Sequence, residues 1–531
     1  MRRVREAVGT AVLRIVGAVT LVGGVAMVVV PRPVLTPLNH TIVVPTCIVA
    51  LGLVFLLRLP QRLRAMLASR WTGPVLAVLG GGVGAFVGEL LHFPYGWDAS
   101  VVMGLARRIH AGLPVTPGEY HYLSEYPNNL PLLAIDRVAA AAGARLGVTP
   151  DSLLIGLNAV ALLASIWLAH SVVRRCAGPV PAAAAALLIT GFVGLSPWMA
   201  VPYTDIFAMP FTIAAVGLAG LAWSNRGARR WWAWGAAVVA GAAAYVIKTT
   251  PGVLVIAGVL VILLSLLPSR RRVDDDGPTK PAGRRVLRTL AAAGLTVLAF
   301  VGSAAGITTV ARHATGADLS RVHTSVSAPI IWWVANGMIE IPAKDYISYG
   351  GFSRTMVNAI KGRTQAEMKA YSTQFIKAQW ETRGVTGMAA FYANKAVWNF
   401  NDGMFSAWGE GGDAKRKPYA DTPVAATLME FNGFHGRYYE TRASITEGVW
   451  AAVVLVAGFG LLRAPFRRDL LMLALSVLGI GTFILIFQGR SRYLLTFAPV
   501  IIALSCAVLP WARAGLVPWT RERGARGRAQ A

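Results

Sequence analysis

LPLLAIDRVAAAAGARL, residues 130–146, is the stretch whose reading sets the topology of the chain. It is apolar, yet Asp136 and Arg137 sit near its middle. Charges at bilayer depth are costly, and counting this segment as a crossing would invert the sidedness of everything after it. It is therefore assigned as a surface or re-entrant helix on the outer side.

Working outward, apolar runs recur along the 531 residues, each near the ~20 residues that cross a hydrocarbon core. They lie at about 9–30, 41–57, 74–93, 152–173, 179–199, 206–224, 231–247, 252–268, 289–311, 445–463, 469–487 and 493–512. Charged residues make up 14% of the chain and mean hydropathy is +0.54, whereas a soluble domain carries about 25% charged residues. The expected fold class is an all-α polytopic membrane protein of about 12 helices. The first run is too long for a cleaved signal peptide and lacks a small-residue cleavage site.

The net charge of +26 invites a nucleic-acid reading, but its distribution opposes one. With the N-terminus (Arg2, Arg3, Arg5) in the cytoplasm, the inside loops collect Arg58, Arg62, Arg64 and Arg70, then Arg174 and Arg175. Arg226, Arg229 and Arg230 follow, then the basic 270–288 linker, and then Arg463, Arg467 and Arg468. A basic tail at 513–531 ends the chain, with Arg521, Arg523, Arg526 and Arg528. Short loops enriched in Lys and Arg stay inside. The excess charge thus encodes topology, with some attraction to anionic membrane lipids, and no nucleic-acid partner is expected. Both termini are expected in the cytoplasm of a multi-pass plasma-membrane protein. Asp274, Asp275 and Asp276 lie among arginines in that linker and are read as solvated chain. Three cysteines, Cys47, Cys176 and Cys506, make neither a disulfide framework nor a thiolate metal site.

This topology divides the chain into a transmembrane region over 1–311 with a polar outer loop at 93–151, an extracytoplasmic module over 312–444, and closing helices over 445–512. The loop opens with Asp98 after Trp97, continues through Tyr122, and reaches Glu125-Tyr126-Pro127-Asn128-Asn129. Hydrogen-bonding and aromatic side chains beside a carboxylate suit a polar substrate held against the bilayer, and aromatics also favour that depth for its own sake. Asp205 opens the sixth apolar run and is read either as a site acid or as part of a helix cap with Thr204. Lys248, Arg490 and Arg492 fall on the outer face against the charge bias, with Tyr493 beside them. They are read as phosphate ligands or as snorkelling side chains. The module holds Trp332, Trp333, Trp380, Trp398 and Trp408, which suit either carbohydrate stacking or its own core. Residues 365–399 read as paired helices.

Collected by side, one acid could act as general base toward a hydroxyl, and the cations could steady a departing phosphate. A divalent cation, Mg²⁺ or Mn²⁺, could be held through Asp98 and Asp205, but two carboxylates without further ligands make a poor cage. No P-loop, dinucleotide fingerprint, HExxH or serine triad is present. Against a secondary transporter stand the span-end positions of the charges and the large module. A non-catalytic envelope-assembly protein is the remaining alternative.

The chain resembles the GT-C superfamily of membrane glycosyltransferases, and most closely the PMT-like bacterial relatives of protein O-mannosyltransferases. The resemblance rests on PYGWDASVV (Pro94–Val102), YPNNLPLL (Tyr126–Leu133), PYTDIFAMPF (Pro202–Phe211) and YVIKTTPG (Tyr245–Gly252). GVTGMAAFYANKAVWNFNDGMF (Gly384–Phe405) and QGRSRYLLTFAPV (Gln488–Val500) complete it. Such a resemblance implies a polyprenyl-phosphate-linked sugar as donor and a glycan, lipid or protein hydroxyl as acceptor. It implies that Asp98 is the catalytic base and that Lys248, Arg490 and Arg492 hold the lipid phosphate. Asp205 would shape the acceptor site or bind a metal. The chain differs from the protein O-mannosyltransferase pattern in having Ala99 after Asp98, where that family has a second acid, and in two added N-terminal spans.

Overall fold

The computed structural model describes residues 2–30, 38–56, 58–94, 96–267, 282–343, 346–407 and 418–514. The 270–281 part of the basic linker, the tail beyond 514, Tyr95 and Trp408 lie outside the described residues. The chain is a helical polytopic membrane protein, and each expected apolar run coincides with helix. Among the described residues, seven helices are long and apolar enough to cross a membrane, eight if His40–Leu56 and Gln61–Ala68 count as one bent span. Pro179–Gly194, Thr250–Leu266 and Ala498–Ala512 are shorter apolar helices. A full set of 12 crossings therefore remains an expectation. Leu287, Leu298, Val301 and Val310 point outward from the Ala282–Ala314 helix. A lipid solvent stabilises such a surface, whereas water would not.

Close helix packing rests on small residues, because lipid tails supply no hydrophobic drive for one helix to join another. Along Thr72–Leu90, a Cβ on Gly73 would meet His170, one on Gly81 would meet Leu163, one on Gly84 would meet Leu162, and one on Gly88 would meet Ile155. As the first series rises the second falls, so Thr72–Leu90 and Pro150–Ala177 run antiparallel in close contact.

That packing settles the 130–146 question. The start of Pro150–Ala177 lies beside the end of Thr72–Leu90, with Ser152 Oγ 3.5 Å from Glu89 Oε2, so residues 91–149 leave and return on one side. Leu130–Leu146 packs against Trp97–His110 and ends at Gly147, whose φ of +67° turns the chain. It does not cross. Nor is it a free surface helix, because Leu130, Leu132, Leu133 and Asp136 are buried. Burial pushes the Asp136 carboxyl well above the usual carboxylate range, and its oxygens have no hydrogen-bond partner among the described residues. A neutral acid removes most of the penalty of burying a charge. Arg137 turns away to donate to the Ala314 carbonyl at 3.2 Å.

The two N-terminal helices, Arg2–Val29 and His40–Leu56, both pack on Tyr439–Arg463 rather than chiefly on each other. In the module, Trp332, Met356 and Met368 form a small apolar core apart from the main bundle. Gln365–Phe400 is broken at Gly384, whose φ is +61°, as the expected helix pair requires. One antiparallel hairpin, Glu340–Pro342 with Ile347–Tyr349, departs from an all-helical reading.

Replacing Gly88 with Leu forces a Cβ to 2.8 Å from the Met199 carbonyl oxygen, a backbone atom that cannot swing aside. Overpacking of this kind costs about 1–3 kcal/mol. Gly88→Leu is expected to lower the melting temperature of the detergent-purified protein by several degrees. Gly82→Leu, where a Cβ meets nothing within 4 Å, is expected to leave it within a degree or so.

Candidate functional site

Asp98 lies in the first turn of Trp97–His110. The Tyr122 hydroxyl donates to one carboxylate oxygen and the Tyr203 hydroxyl to the other, each at 2.8 Å. Asn129 Nδ2 donates to the Tyr122 oxygen at 2.7 Å, and Asn128 Nδ2 to Asn129 Oδ1 at 3.3 Å. Burial, and then the neighbouring Asp98 carboxylate, hold the Tyr122 phenol far above its ordinary range, so it remains a donor. The residue before Asp98 carries strain: Trp97 has φ +53°, a region that costs a bulky residue about 1–2 kcal/mol. Its ring is held between the Arg490 guanidinium at 5.1 Å and the Phe352 ring at 6.2 Å.

Asp205 is fully buried in the first turn of Thr204–Ser224. Lys248, just past the end of Gly227–Ile247, places Nζ 2.7 Å from Asp205 Oδ1. Arg492 Nε stands 3.7 Å from Oδ2. Cation–π contacts close the group, with Lys248 Nζ 4.8 Å from the Tyr493 centroid and the Arg492 guanidinium 4.9 Å from that of Tyr203. Tyr203 therefore joins the two halves, since its hydroxyl holds Asp98 while its ring carries Arg492. Two acids and three cations from distant parts of the sequence meet in one buried cluster.

The expected site residues separate by distance from this centre. Asp98, Tyr122, Asn129, Asp205, Lys248, Arg490, Arg492 and Tyr493 are brought together. Asn128 stands one bond further out, and the Tyr126 ring leans on Tyr122 with centroids 5.3 Å apart. Glu125 turns outward to His121 at 3.2 Å and does not reach the centre. Among the tryptophans, Trp332 is core, Trp398 stacks on Tyr346 and Trp380 is exposed. No group of three or more His, Cys, Asp or Glu with metal-binding geometry occurs among the described residues.

Sequence reading missed Tyr203 and the supports of the Gln488–Tyr493 loop. Asn336 Nδ2 donates to Gln488 Oε1 at 2.7 Å. Lys395 is fully buried, and its Nζ donates to the carbonyls of Gly337, Leu485 and Phe487 at 2.6, 2.8 and 2.7 Å. Asp402 accepts from the backbone N–H groups of Met404 and Ser406 and from the Ser491 hydroxyl. Ser491 lies between the two arginines. Phe405 and Ser406 both have φ near +54°, which wedges this turn against Trp198, whose indole N–H donates to the Phe405 carbonyl at 3.1 Å. The only signal was the Lys395–Phe405 run itself, polar residues inside an otherwise aromatic segment.

A family model described as "Conserved hypothetical integral membrane protein" matches residues 35–514. The chain belongs to that family. Among curated proteins, none matches. This integral membrane protein is also similar to a solved structure described as ArnT from Cupriavidus metallidurans bound to undecaprenyl phosphate, at 14% identity and a TM-score of 0.32. The match covers 84% of this chain and 78% of that one. A likeness at this level decides nothing about the chemistry of the present site.

Removing the Lys395 ammonium strands three carbonyls, and a buried unsatisfied polar group costs about 1–3 kcal/mol. Lys395→Met is expected to lower thermal stability and to expose the Arg490–Arg492 loop to limited proteolysis. Cleavage unchanged from wild type would remove Lys395 from this anchoring role.

Proposed function

We propose that this protein is an inverting glycosyltransferase. It takes a sugar from a polyprenyl-phosphate carrier to a hydroxyl of a cell-envelope acceptor at the outer face of the plasma membrane. The observation that carries the reading is the meeting of Asp98 with three cations in one buried cluster. Counting formal charges, three cations (Lys248, Arg490, Arg492) against two acids (Asp98, Asp205) leave one positive charge. A desolvated excess charge draws an anion. The donor supplies one as its phosphate, and its lipid tail explains a site at membrane depth.

In this mechanism Tyr122 and Tyr203 fix the Asp98 carboxylate, which takes the proton of the acceptor hydroxyl. The acceptor oxygen forms its bond to the anomeric carbon as the bond from that carbon to the phosphate oxygen breaks. The electron pair leaves with the polyprenyl phosphate, whose growing charge meets the cations. One displacement inverts the anomeric centre, and no covalent enzyme intermediate is needed.

The cations are not equivalent. Lys248 and Arg492 are shared with Asp205, whereas Arg490 is stacked on aromatic rings and has no ion-pair partner among the described residues. Its planar fork is therefore the primary phosphate ligand. Asp205 sets the geometry of the other two and shapes the cavity.

Asp98→Asn is expected to lower transfer by about 10²–10⁴-fold, the range of a lost general base, with unchanged expression. The check is mass analysis of envelope glycans from a deletion strain complemented with wild type or variant, and full restoration by Asp98→Asn would remove Asp98 from the base role. Arg490→Ala is expected to raise the apparent KM for the lipid donor about tenfold or more, and Arg490→Lys to recover only part of it because the fork is lost. Donor titration in proteoliposomes measures both, and an unchanged KM would exclude Arg490 as the phosphate ligand.

A further inference from the structure

A cavity of about 1090 Å³ opens away from the Asp98 centre, between Gly227–Ile247, Val253–Leu263 and Ala282–Ala314. Arg5, Arg230, Arg284, Arg285, Arg288 and Arg468 line it. No Asp or Glu lines it among the described residues. Its arginine end is remote from Lys248, since Arg230 lies in the first turn of Gly227–Ile247 and Lys248 just past its end, about 27 Å apart along the axis.

A topological bias explains why arginines gather at this end, but not why six face one hollow. Arg468 donates to Ser265 Oγ at 3.0 Å and Arg230 stacks on Trp231 at 5.9 Å, and neither contact neutralises charge. Like charges gathered around one hollow with no acid in its described lining call for an anion. Beyond the arginines the lining turns apolar, through Leu254, Val255 and Leu295 to Phe300. Arg288 and Phe300 are separated by about 18 Å along their helix. A free anion would need none of that depth, whereas a hydrocarbon chain fills it. Trp223, Trp231 and Trp234 also line the cavity, and tryptophan favours headgroup depth.

We propose that this cavity binds an anionic phospholipid of the adjacent leaflet, with its phosphate among Arg230, Arg284, Arg285 and Arg288 and an acyl chain in the shaft toward Phe300. Selectivity lies in the headgroup. A chain leaving the bilayer for an apolar shaft changes its surroundings little, while guanidinium forks engage phosphate oxygens in pairs.

Two variants address the two halves. Arg284, Arg285 and Arg288 are exposed, so their joint change to Gln leaves the packing intact, and the basic residues of 270–280 retain the topological signal. Gly258→Leu narrows the shaft at a position where a Cβ meets nothing within 4 Å. The full-length protein, delipidated in detergent, is titrated with phosphatidylglycerol, phosphatidylcholine or inorganic phosphate, and read by thermal unfolding and native mass spectrometry. Phosphatidylglycerol is expected to bind at least tenfold more tightly than phosphatidylcholine. The triple Gln variant is expected to bring the two within about twofold, and Gly258→Leu to reduce bound lipid. Equal binding of the two lipids by wild type would overturn the proposal. So would retention of the preference and the lipid count by both variants, or a full stabilisation by inorganic phosphate alone.

Discussion

A carboxylate with no exposed surface, Asp205, is held between Lys248 and Arg492, and the rest of the architecture accommodates that fact. Isolated charge in a low-dielectric interior is strongly unfavourable, and leaving one partner of a buried pair alone costs several kcal/mol. The three residues come from the start of one helix, the end of another and a loop near the end of the chain. Their pairing therefore fixes three elements relative to one another. The Thr496 hydroxyl reinforces the arrangement by donating to the Asp205 backbone carbonyl at 3.1 Å. Tyr203 lies two residues before Asp205, so placing the acid also places the phenol that holds Asp98.

The large insertion acts as a clamp on the closing loop. Its Asn336 and Asp402 bind the Gln488–Tyr493 loop, through the Gln488 side-chain amide and the Ser491 hydroxyl, while Lys395 ties the Leu485 and Phe487 carbonyls just before the loop to that of Gly337 in the insertion. Gln488 and Gly489 also donate backbone N–H groups to the carbonyls of Trp333 and Gly350. A loop carrying two closely spaced arginines would spread in water. These neutral and anionic partners hold its backbone, so the guanidinium groups need not satisfy it.

Much of this was legible in the sequence because charges stand out against apolar runs. Asp98, Asp205, Lys248, Arg490 and Arg492 were each found as an interruption of a hydrophobic pattern, and sidedness predicted that they would share an end. The 130–146 segment was legible through Asp136, although that residue is tolerated by burial as an acid rather than by exposure. What could not be read was specific pairing. Glu125 and Asn129 are equally polar neighbours in one loop, yet one faces His121 and the other the centre, a difference set by how Pro117–Glu125 ends. Lys395 and Asp402 belong to a module in which charge is unremarked, so only the run of aromatic residues around them set them apart, and it did not show them as interior. The two N-terminal helices likewise carry no sign that their partner is Tyr439–Arg463, far along the chain.

The order of these elements along the chain bears on biogenesis. Asp205 and Lys248 emerge from the ribosome long before residue 490, and as a pair they are electrically neutral, so the early helices can settle in the bilayer without stranded charge. The clamp residues emerge next. Only the final hairpin, Arg468–Ile486 with Ala498–Ala514, delivers the arginines that make the pocket positive. The Asp98–Asp205 centre thus carries no excess positive charge until Arg468–Ile486 and Ala498–Ala514 dock, which keeps that centre from capturing lipid phosphate while it is half built.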